Sequence, residues 1–165
     1  MVPLREEINK RDPFEVAEQE AYLNLVRTQA ELGGEFFSLF KRHGLSEAGY
    51  NVLRILRGAH LQKKTRGVRS SEIAGQMVVR VPDVTRLVDR LVDKGLVERT
   101  RCTDDRRVVY VAITKAGLKL LEKMDQPVLD LHRSQLGHLS ERELASLNKL
   151  LEKARRRPDG SNGQA

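Results

Sequence analysis

Cysteine and long apolar runs are scarce in this chain, and each scarcity excludes a class of protein. Cys102 is the only cysteine among 165 residues, which excludes an intrachain disulfide and favours a reducing compartment. The first residues, MVPLREEINK, lack the apolar stretch of a signal peptide, and no later run approaches the ~18 apolar residues of a transmembrane helix. We therefore expect a cytoplasmic protein without a membrane span.

Residue patterns that bind metals or carry out catalysis are also missing. The four histidines share no metal-ligand spacing, and each is interpreted as a surface or helix-end residue. They are His43, His60, His132 and His138. No Ser/His/Asp constellation, glycine-rich phosphate loop or catalytic carboxylate pair is visible. The sequence therefore predicts no metal, no cofactor and no enzymatic activity.

Positive charge, by contrast, is abundant. The chain has 30 Lys and Arg against 23 Asp and Glu, a net charge of +7, and its pI is about 9.8. Such a balance favours a polyanionic partner and says little about the fold. Nucleic acid is the leading candidate, and an anionic membrane surface is the lesser one. The length fits one domain on a prior of roughly 100–200 residues per domain.

An amphipathic pattern with clear ends runs from Pro82 to Lys94. Pro82 suits the first helical position, and Gly95 suits the left-handed residue that follows a helix. The apolar positions recur at helical spacing and are Val84, Leu87, Val88 and Leu91. Taken alone, the pattern also fits a solvated surface helix with Asp/Arg pairs. Two β-rich runs follow, Leu96–Arg101 and Arg107–Ile113, so we expect a reading helix and a basic hairpin.

Capping residues and apolar spacing predict five further helices. Their expected spans are Pro13 to about Lys41, Glu47 to about Gly58, Glu72 to about Gln76, Lys115 to about Leu136, and a last helix after Ser140. The expected caps are Asp12, Ser46, Ser70 or Ser71, Thr114, and a capping box from Ser140 to Glu143. Residues 1–11 and the loop Gly58–Ser70 are expected to be irregular, the loop being either solvated or in contact with phosphates. A short helix, a turn and a longer helix form a helix-turn-helix.

The run from Ser70 to Gly117 resembles the winged helix-turn-helix of the MarR family of transcription regulators. Asp105-Arg106-Arg107, followed by Thr114 and Gly117, is similar to the family's wing signature of D-x-R leading to L-T-x-x-G, with Ile113 in place of the usual Leu. The resemblance covers roughly Asp12 to Ala154. It implies a mainly α fold with a small β-wing, a winged helix-turn-helix with N- and C-terminal dimerisation helices.

The predicted organisation is a single MarR-like domain. Residues 12–43 and 115–155 are the expected dimerisation helices, residues 46–114 the DNA-binding part, and residues 156–165 a disordered tail. The first and last helices carry more apolar surface than one small chain can bury, which agrees with the homodimer that the resemblance implies. A two-fold dimer binds a pseudo-palindrome whose half-sites lie about one helical turn apart.

The polar side chains near the start of the reading helix are the predicted base contacts. These are Asp83, Thr85 and Arg86, with Arg90 nearer a phosphate. Arg86 is the candidate for direct readout, because a bidentate guanidinium on guanine is the commonest specific contact. Ser71 and Arg80 are expected to hold phosphates at helix starts.

The resemblance implies a further role for the wing. The Arg of D-x-R, here Arg107, reaches into the minor groove in the family, and the Asp, here Asp105, braces the wing. Arg106 is predicted to contact DNA beside Arg107.

The favoured function is a sequence-specific regulator of double-stranded DNA, a ligand-responsive repressor. The resemblance implies a small aromatic or anionic effector. The alternative is a winged-helix interaction module whose basic surface binds an acidic protein. Cys102 lies near the wing turn, and the family that the chain resembles includes redox-sensing members, so a redox role stays open. The position of Cys102 argues against that role, because the family's peroxide sensors use an N-terminal cysteine.

Overall fold

The computed structural model describes residues 2–63, 67–102 and 108–156. Its elements, in chain order, are α1 (Leu4–Glu7), α2 (Ala17–Arg42), α3 (Glu47–Leu61), β1 (Val68–Arg69), α4 (Ser70–Gln76), α5 (Val84–Asp93), β2 (Val97–Arg101), β3 (Val109–Ile113), α6 (Lys115–Leu136) and α7 (Glu141–Arg155). The three strands form one antiparallel sheet in the order β1-β3-β2. The predicted mainly helical fold with a small sheet is therefore confirmed. Within these ranges, no helix combines the length and apolar character that a membrane span requires.

The chain divides into two compact units, residues 1–128 and residues 129–165. The core of the first unit is built from the apolar faces of α3, α4, α5, the sheet and the first half of α6. Its most deeply buried side chains are Val52, Leu53, Leu56, Val68, Ile73, Val88, Val111, Leu121 and Met124. Burial of a side chain of this size stabilises a fold by about 1.5–3 kcal/mol. In the second unit, α7 buries none of its residues within the chain.

Three predicted helix starts are confirmed by their caps. The hydroxyl of Ser46 accepts a hydrogen bond from the Gly49 N–H at 3.1 Å at the start of α3. At α6, Thr114 Oγ1 accepts from the Gly117 N–H at 3.1 Å. Ser140 and Glu143 form the reciprocal capping box of α7. These caps satisfy N–H groups that a helix start otherwise leaves without intrahelical partners.

The predictions for the N-terminal region are wrong in two places. Residues 1–11 are not wholly irregular, because Leu4 is buried and lies in the short helix α1. The long helix α2 begins at Ala17 rather than next to Asp12, since Val16 has extended backbone angles and no side chain caps the helix. Asp12 therefore does not act as its cap. The Glu15 N–H donates instead to Gln19 Oε1 at 3.3 Å.

Regular structure occupies both ends of the predicted loop Gly58–Ser70, and residues 64–66 lie outside the described residues. Helix α3 continues through Gly58 to Leu61, and Val68 enters the sheet opposite Val111. Gly67 permits this entry, because it has a φ of +83° and a Cβ there would lie 2.3 Å from the Val111 carbonyl oxygen. The cap of α4 is Arg69, so Ser70 and Ser71 lie within the first turn of the helix and do not cap it.

The reading helix α5 starts two residues later than predicted. Asp83 is its cap and accepts from the Arg86 N–H at 2.9 Å, so Pro82 precedes the helix and is not its first residue. Its end matches the prediction, since Gly95 has a φ of +67°. The Gly95 N–H donates to Val92 and the Leu96 N–H to Leu91, which is a Schellman motif.

A bidentate ion pair connects α3 to α6 inside the first unit. Arg57 donates from Nη1 and Nη2 to the two carboxylate oxygens of Asp125 at 2.7 and 2.8 Å, and Arg54 Nη1 lies 3.8 Å from the same carboxylate. The hydrogen bonds from Arg57 lower the pKa of Asp125 below its usual value. This pair fixes the long helix α6 to the helix behind the helix-turn-helix.

Candidate nucleic-acid interface

Helices α4 and α5 form the predicted helix-turn-helix. Ile73 of α4 and Val88 and Leu91 of α5 are buried. The opposite face of α5 presents Thr85, Arg86 and Arg90, which are all exposed. One face is thus part of the core, and the other is available to a ligand.

Arg86 is the most prominent group of this exposed face. Its side chain is 81% exposed, and its Nε lies 3.2 Å from the carboxylate of Asp83. Asp83 therefore has two tasks within the protein, as the cap of α5 and as the ion-pair partner of Arg86. This pairing holds the guanidinium at the N-terminal end of the helix, the end that approaches base edges in helix-turn-helix complexes.

A groove of about 540 Å³ lies between the helix-turn-helix and the sheet. Its lining residues are Arg69, Ser70, Ser71, Thr85, Arg99, Arg101, Val108 and Val109. It brings together Ser71 and Thr85, two of the predicted contacts. Among the described residues that line it, those with a formal charge are Arg69, Arg99 and Arg101. Arg80, Arg86 and Arg90 are exposed outside the groove.

Arg99 holds α5 against strand β2, a role that the sequence analysis missed. Its Nη1 pairs with the Asp89 carboxylate and its Nη2 donates to the Thr85 carbonyl at 3.1 Å. Asp89 and Thr85 are four residues apart, on one face of the helix. The Arg99 side chain is only 28% exposed, so it acts on the orientation of the reading helix.

Arg69 and Arg101 are two further basic groups that the sequence analysis did not single out as contacts. Arg101 lies two residues after Arg99 on β2, so both side chains lie on one face of the strand. This alternating spacing is the sequence pattern from which Arg101 could have been predicted as a contact. Arg69 packs 5.9 Å from the ring centroid of Tyr110 and 3.7 Å from a Glu72 oxygen. A hydrogen bond with Tyr110 raises the pKa of Arg69.

The wing hairpin is confirmed with shorter strands than predicted. Strands β2 and β3 pair from Val97↔Ile113 to Arg101↔Val109, and the Cys102 N–H donates to the Val108 carbonyl at 2.9 Å. The predicted contacts Arg106 and Arg107 and the predicted brace Asp105 lie outside the described residues, as does the tail from residue 157 onward.

Apolar side chains are exposed on the long N-terminal helix α2 and on the last helix, α7. On α2, exposed fractions range from 46% at Leu25 to 66% at Tyr22, with Val26 and Phe37 between them. On α7, Leu147 and Leu150 are 37% and 64% exposed. These faces match the excess apolar surface expected from the sequence.

Across residues 2–63, 67–102 and 108–156, no group of three or more His, Cys, Asp or Glu side chains is arranged to hold a metal ion.

These elements define a winged helix-turn-helix protein, and comparison with known proteins identifies its family. The MarR family profile matches residues 45–109. A MarR transcription factor from Planctomyces limnophilus is 45% identical, with 86% of this chain and 99% of that one aligned at a TM-score of 0.65. The chain therefore belongs to the MarR family of transcription regulators.

Two further relatives extend the comparison. The HTH-type transcriptional repressor IacR of Pseudomonas putida is 32% identical over 82 residues, which are 50% of this chain and 49% of that protein, so the match spans about half of IacR. A mutant MarR of Escherichia coli, solved in complex with operator DNA, is 28% identical, with 81% of this chain and 95% of that one aligned at a TM-score of 0.64.

Proposed function

We propose that this protein is a sequence-specific transcriptional repressor that binds a pseudo-palindromic operator as a homodimer. The observation that carries the proposal is the exposed face of α5, where Arg86 is held by Asp83 at the start of a helix whose other face is buried. The repressor function of IacR and the operator complex of the E. coli relative support the same assignment. A repressor acts at the chromosome, which agrees with the expected cytoplasmic location.

The proposed contacts fall into two classes. Arg86 and Thr85 meet base edges, with Asp83 beside them, because they lie at the N-terminal end of the reading helix. Phosphates are contacted by Ser71, Arg80 and Arg90, to which we add Arg69 and Arg101 from the arginine-lined groove. For the wing, Arg106 and Arg107 remain proposed contacts on the strength of the family resemblance, with Asp105 as the brace.

The homodimer is proposed from the exposed apolar faces of α2 and α7. A second copy of the chain presents the same faces, and burying them removes apolar surface from water at about 25 cal/mol per Å². A dimer also supplies two reading helices, as a palindromic site requires.

The function is tested by selecting duplexes from a randomised library and measuring their affinity at a stated salt concentration. Arg86→Ala should relax the preference at one base pair, at a cost of ~1–3 kcal/mol for the lost bidentate contact. The matched variant is Arg90→Ala on the same helix face. It should weaken all sequences alike and lower the salt slope by about one.

The alternative function, an interaction module for an acidic protein, predicts a different result in the same assay. In that case no sequence would be enriched from the library, and neither arginine variant would change base preference. Enrichment of a palindrome that depends on Arg86 would exclude this alternative.

We also propose that a small aromatic or anionic ligand releases the protein from DNA, on the basis of the family resemblance. A ligand that does so must bind the free and DNA-bound states with different affinity. A panel of phenolic acids is the direct test, with melting temperature and operator affinity as measurements. No change in either quantity across the panel would remove the support for an effector site.

A further inference from the structure

Two valines in the turn between α4 and α5 are exposed beside the reading helix. Val78 is 85% exposed, the highest value among the large apolar side chains that the structure describes, and Val79 is 62% exposed. The turn is held in place, because the Val78 N–H donates to Asn51 Oδ1 of α3 at 2.9 Å. The exposure of Val78 is therefore a feature of an anchored turn.

The surroundings of the valines are basic. Arg80 follows them directly and is exposed, and Arg86 is exposed in the first turn of α5, where it pairs with the cap residue Asp83. An apolar pair within such a surface contributes nothing to the core and does not attract phosphates. On double-stranded DNA, the apolar group that protein side chains contact in the major groove is the C5-methyl of thymine.

We propose that Val78 and Val79 contact thymine methyl groups at the edge of the major groove and so add thymine preference next to the base pair that Arg86 contacts. This inference rests on the proposed function and names a second determinant of the same site. The commitment to DNA comes from charge complementarity, because the exposed Arg80 directly follows the valines in the chain and Arg86 is exposed on the helix into which the turn leads.

The experiment removes the methyl groups without changing base pairing. Each thymine of the duplex selected by this protein is replaced singly by deoxyuridine, and affinity is measured for the full-length protein. Loss of one buried methyl contact should weaken binding about fourfold. A cytosine at a position that the valines contact should bind more tightly when it is changed to 5-methylcytosine.

Two protein variants assign the effect to the turn. The double variant Val78→Ser, Val79→Ser should bind the thymine and deoxyuridine duplexes equally. The matched control is Leu61→Ser at the end of α3, which removes a side chain that is 74% exposed and should keep the difference. All three sites are exposed, so each variant should retain the melting temperature.

The possible results separate this inference from the proposed function. If deoxyuridine has no effect at any position, or an equal effect in the double variant, the inference is overturned although the protein still binds a selected operator. If no duplex is selected, the proposed function fails and the inference fails with it.

Discussion

At the scale of single residues, the geometry explains why a threonine and a glycine follow the wing. Thr114 Oγ1 donates to the Gly95 carbonyl at 2.8 Å and accepts from the Gly117 N–H, so it joins the end of the reading helix to the start of α6. A Cβ at Gly117 would lie 2.4 Å from the Leu96 carbonyl oxygen. The T-x-x-G spacing of the family signature thus has a packing reason in this chain.

The first prediction concerns this close approach. Gly117→Ala should lower the free energy of unfolding by ~1–3 kcal/mol, because backbone and sheet must shift to admit the methyl group. Chemical denaturation measures the change. The matched control is Gly58→Ala, since a Cβ at Gly58 of α3 meets nothing within 4 Å and alanine is favoured in a helix by up to ~1 kcal/mol. Equal stability of Gly117→Ala and the unsubstituted protein would contradict the packing argument.

At the scale of secondary-structure elements, the functional question is how the reading helix is held against its neighbours. Arg99 joins α5 to β2 through Asp89 and the Thr85 carbonyl, and Arg57 joins α3 to α6 through Asp125. Both arginines make two hydrogen bonds to fixed partners, which restricts rotation as well as separation. The orientation of α5 therefore depends on side chains that lie on other elements.

The second prediction tests the Arg99 connection. Arg99→Ala should reduce operator affinity and also blur base preference, because the reading helix loses its attachment to the sheet. The control is Arg101→Ala, two residues along the same strand, which should weaken all duplexes alike and lower the salt slope by about one. If Arg99→Ala behaved like Arg101→Ala in every respect, Arg99 would be a phosphate contact and not a positioning residue.

The third prediction concerns the pH dependence of the Arg57–Asp125 pair. The pKa of Asp125 is lowered in the folded state, so the unfolded state binds its proton more readily. The stability contributed by the pair is therefore present above the ordinary carboxyl pKa of about 4 and is lost as the pH falls through the folded-state pKa.

The variant Asp125→Asn should show the direction of this pH dependence of stability. It should be less stable than the unsubstituted protein at neutral pH, by at most ~1 kcal/mol because the pair is partly exposed, and the difference should shrink below pH ~4. Thermal unfolding between pH 3 and 7 measures it. Asp130→Asn, which alters an i,i+3 surface pair with Arg133, is the control. A constant difference at all pH values would show that the charge of Asp125 is not responsible.

At the scale of the whole molecule, the exposed faces of α2 and α7 and the net charge of +7 have separate consequences. The charge makes association with DNA depend on salt. The apolar faces are the proposed dimer interface, since side chains such as Tyr22 and Leu150 remain exposed in a single chain.

The fourth prediction addresses assembly. Leu150→Asp should shift the protein toward monomer and weaken binding to a palindromic duplex, because a carboxylate would be buried in the proposed interface without a partner. Light scattering and mobility shift measure the two effects. Leu61→Asp places the same charge at another exposed leucine, 74% exposed, and should leave the dimer intact. A Leu150→Asp protein that remains dimeric and binds the palindrome would exclude α7 from the interface.

Elements whose ends are encoded by nearby residues could be predicted from the amino-acid sequence alone. The caps Ser46 and Thr114 and the box Ser140–Glu143 each act within four residues of their partners, so α3, α6 and α7 could be predicted to start where they do. The exposed face of α5 followed from its helical spacing in the same way.

Features that depend on partners far away in the chain could not be predicted without the fold. Val68 becomes a strand because it meets Val111 across the sheet, and Leu4 forms a helical turn although the segment around it is charged. The sequence does not distinguish Arg99 from the other basic residues, because its role depends on its contacts with Asp89 and Thr85 in the folded chain. The spacing of apolar residues within a segment predicts which face of that element is buried. The pairing between elements depends on contacts between residues that are far apart in the sequence, so no short stretch predicts it.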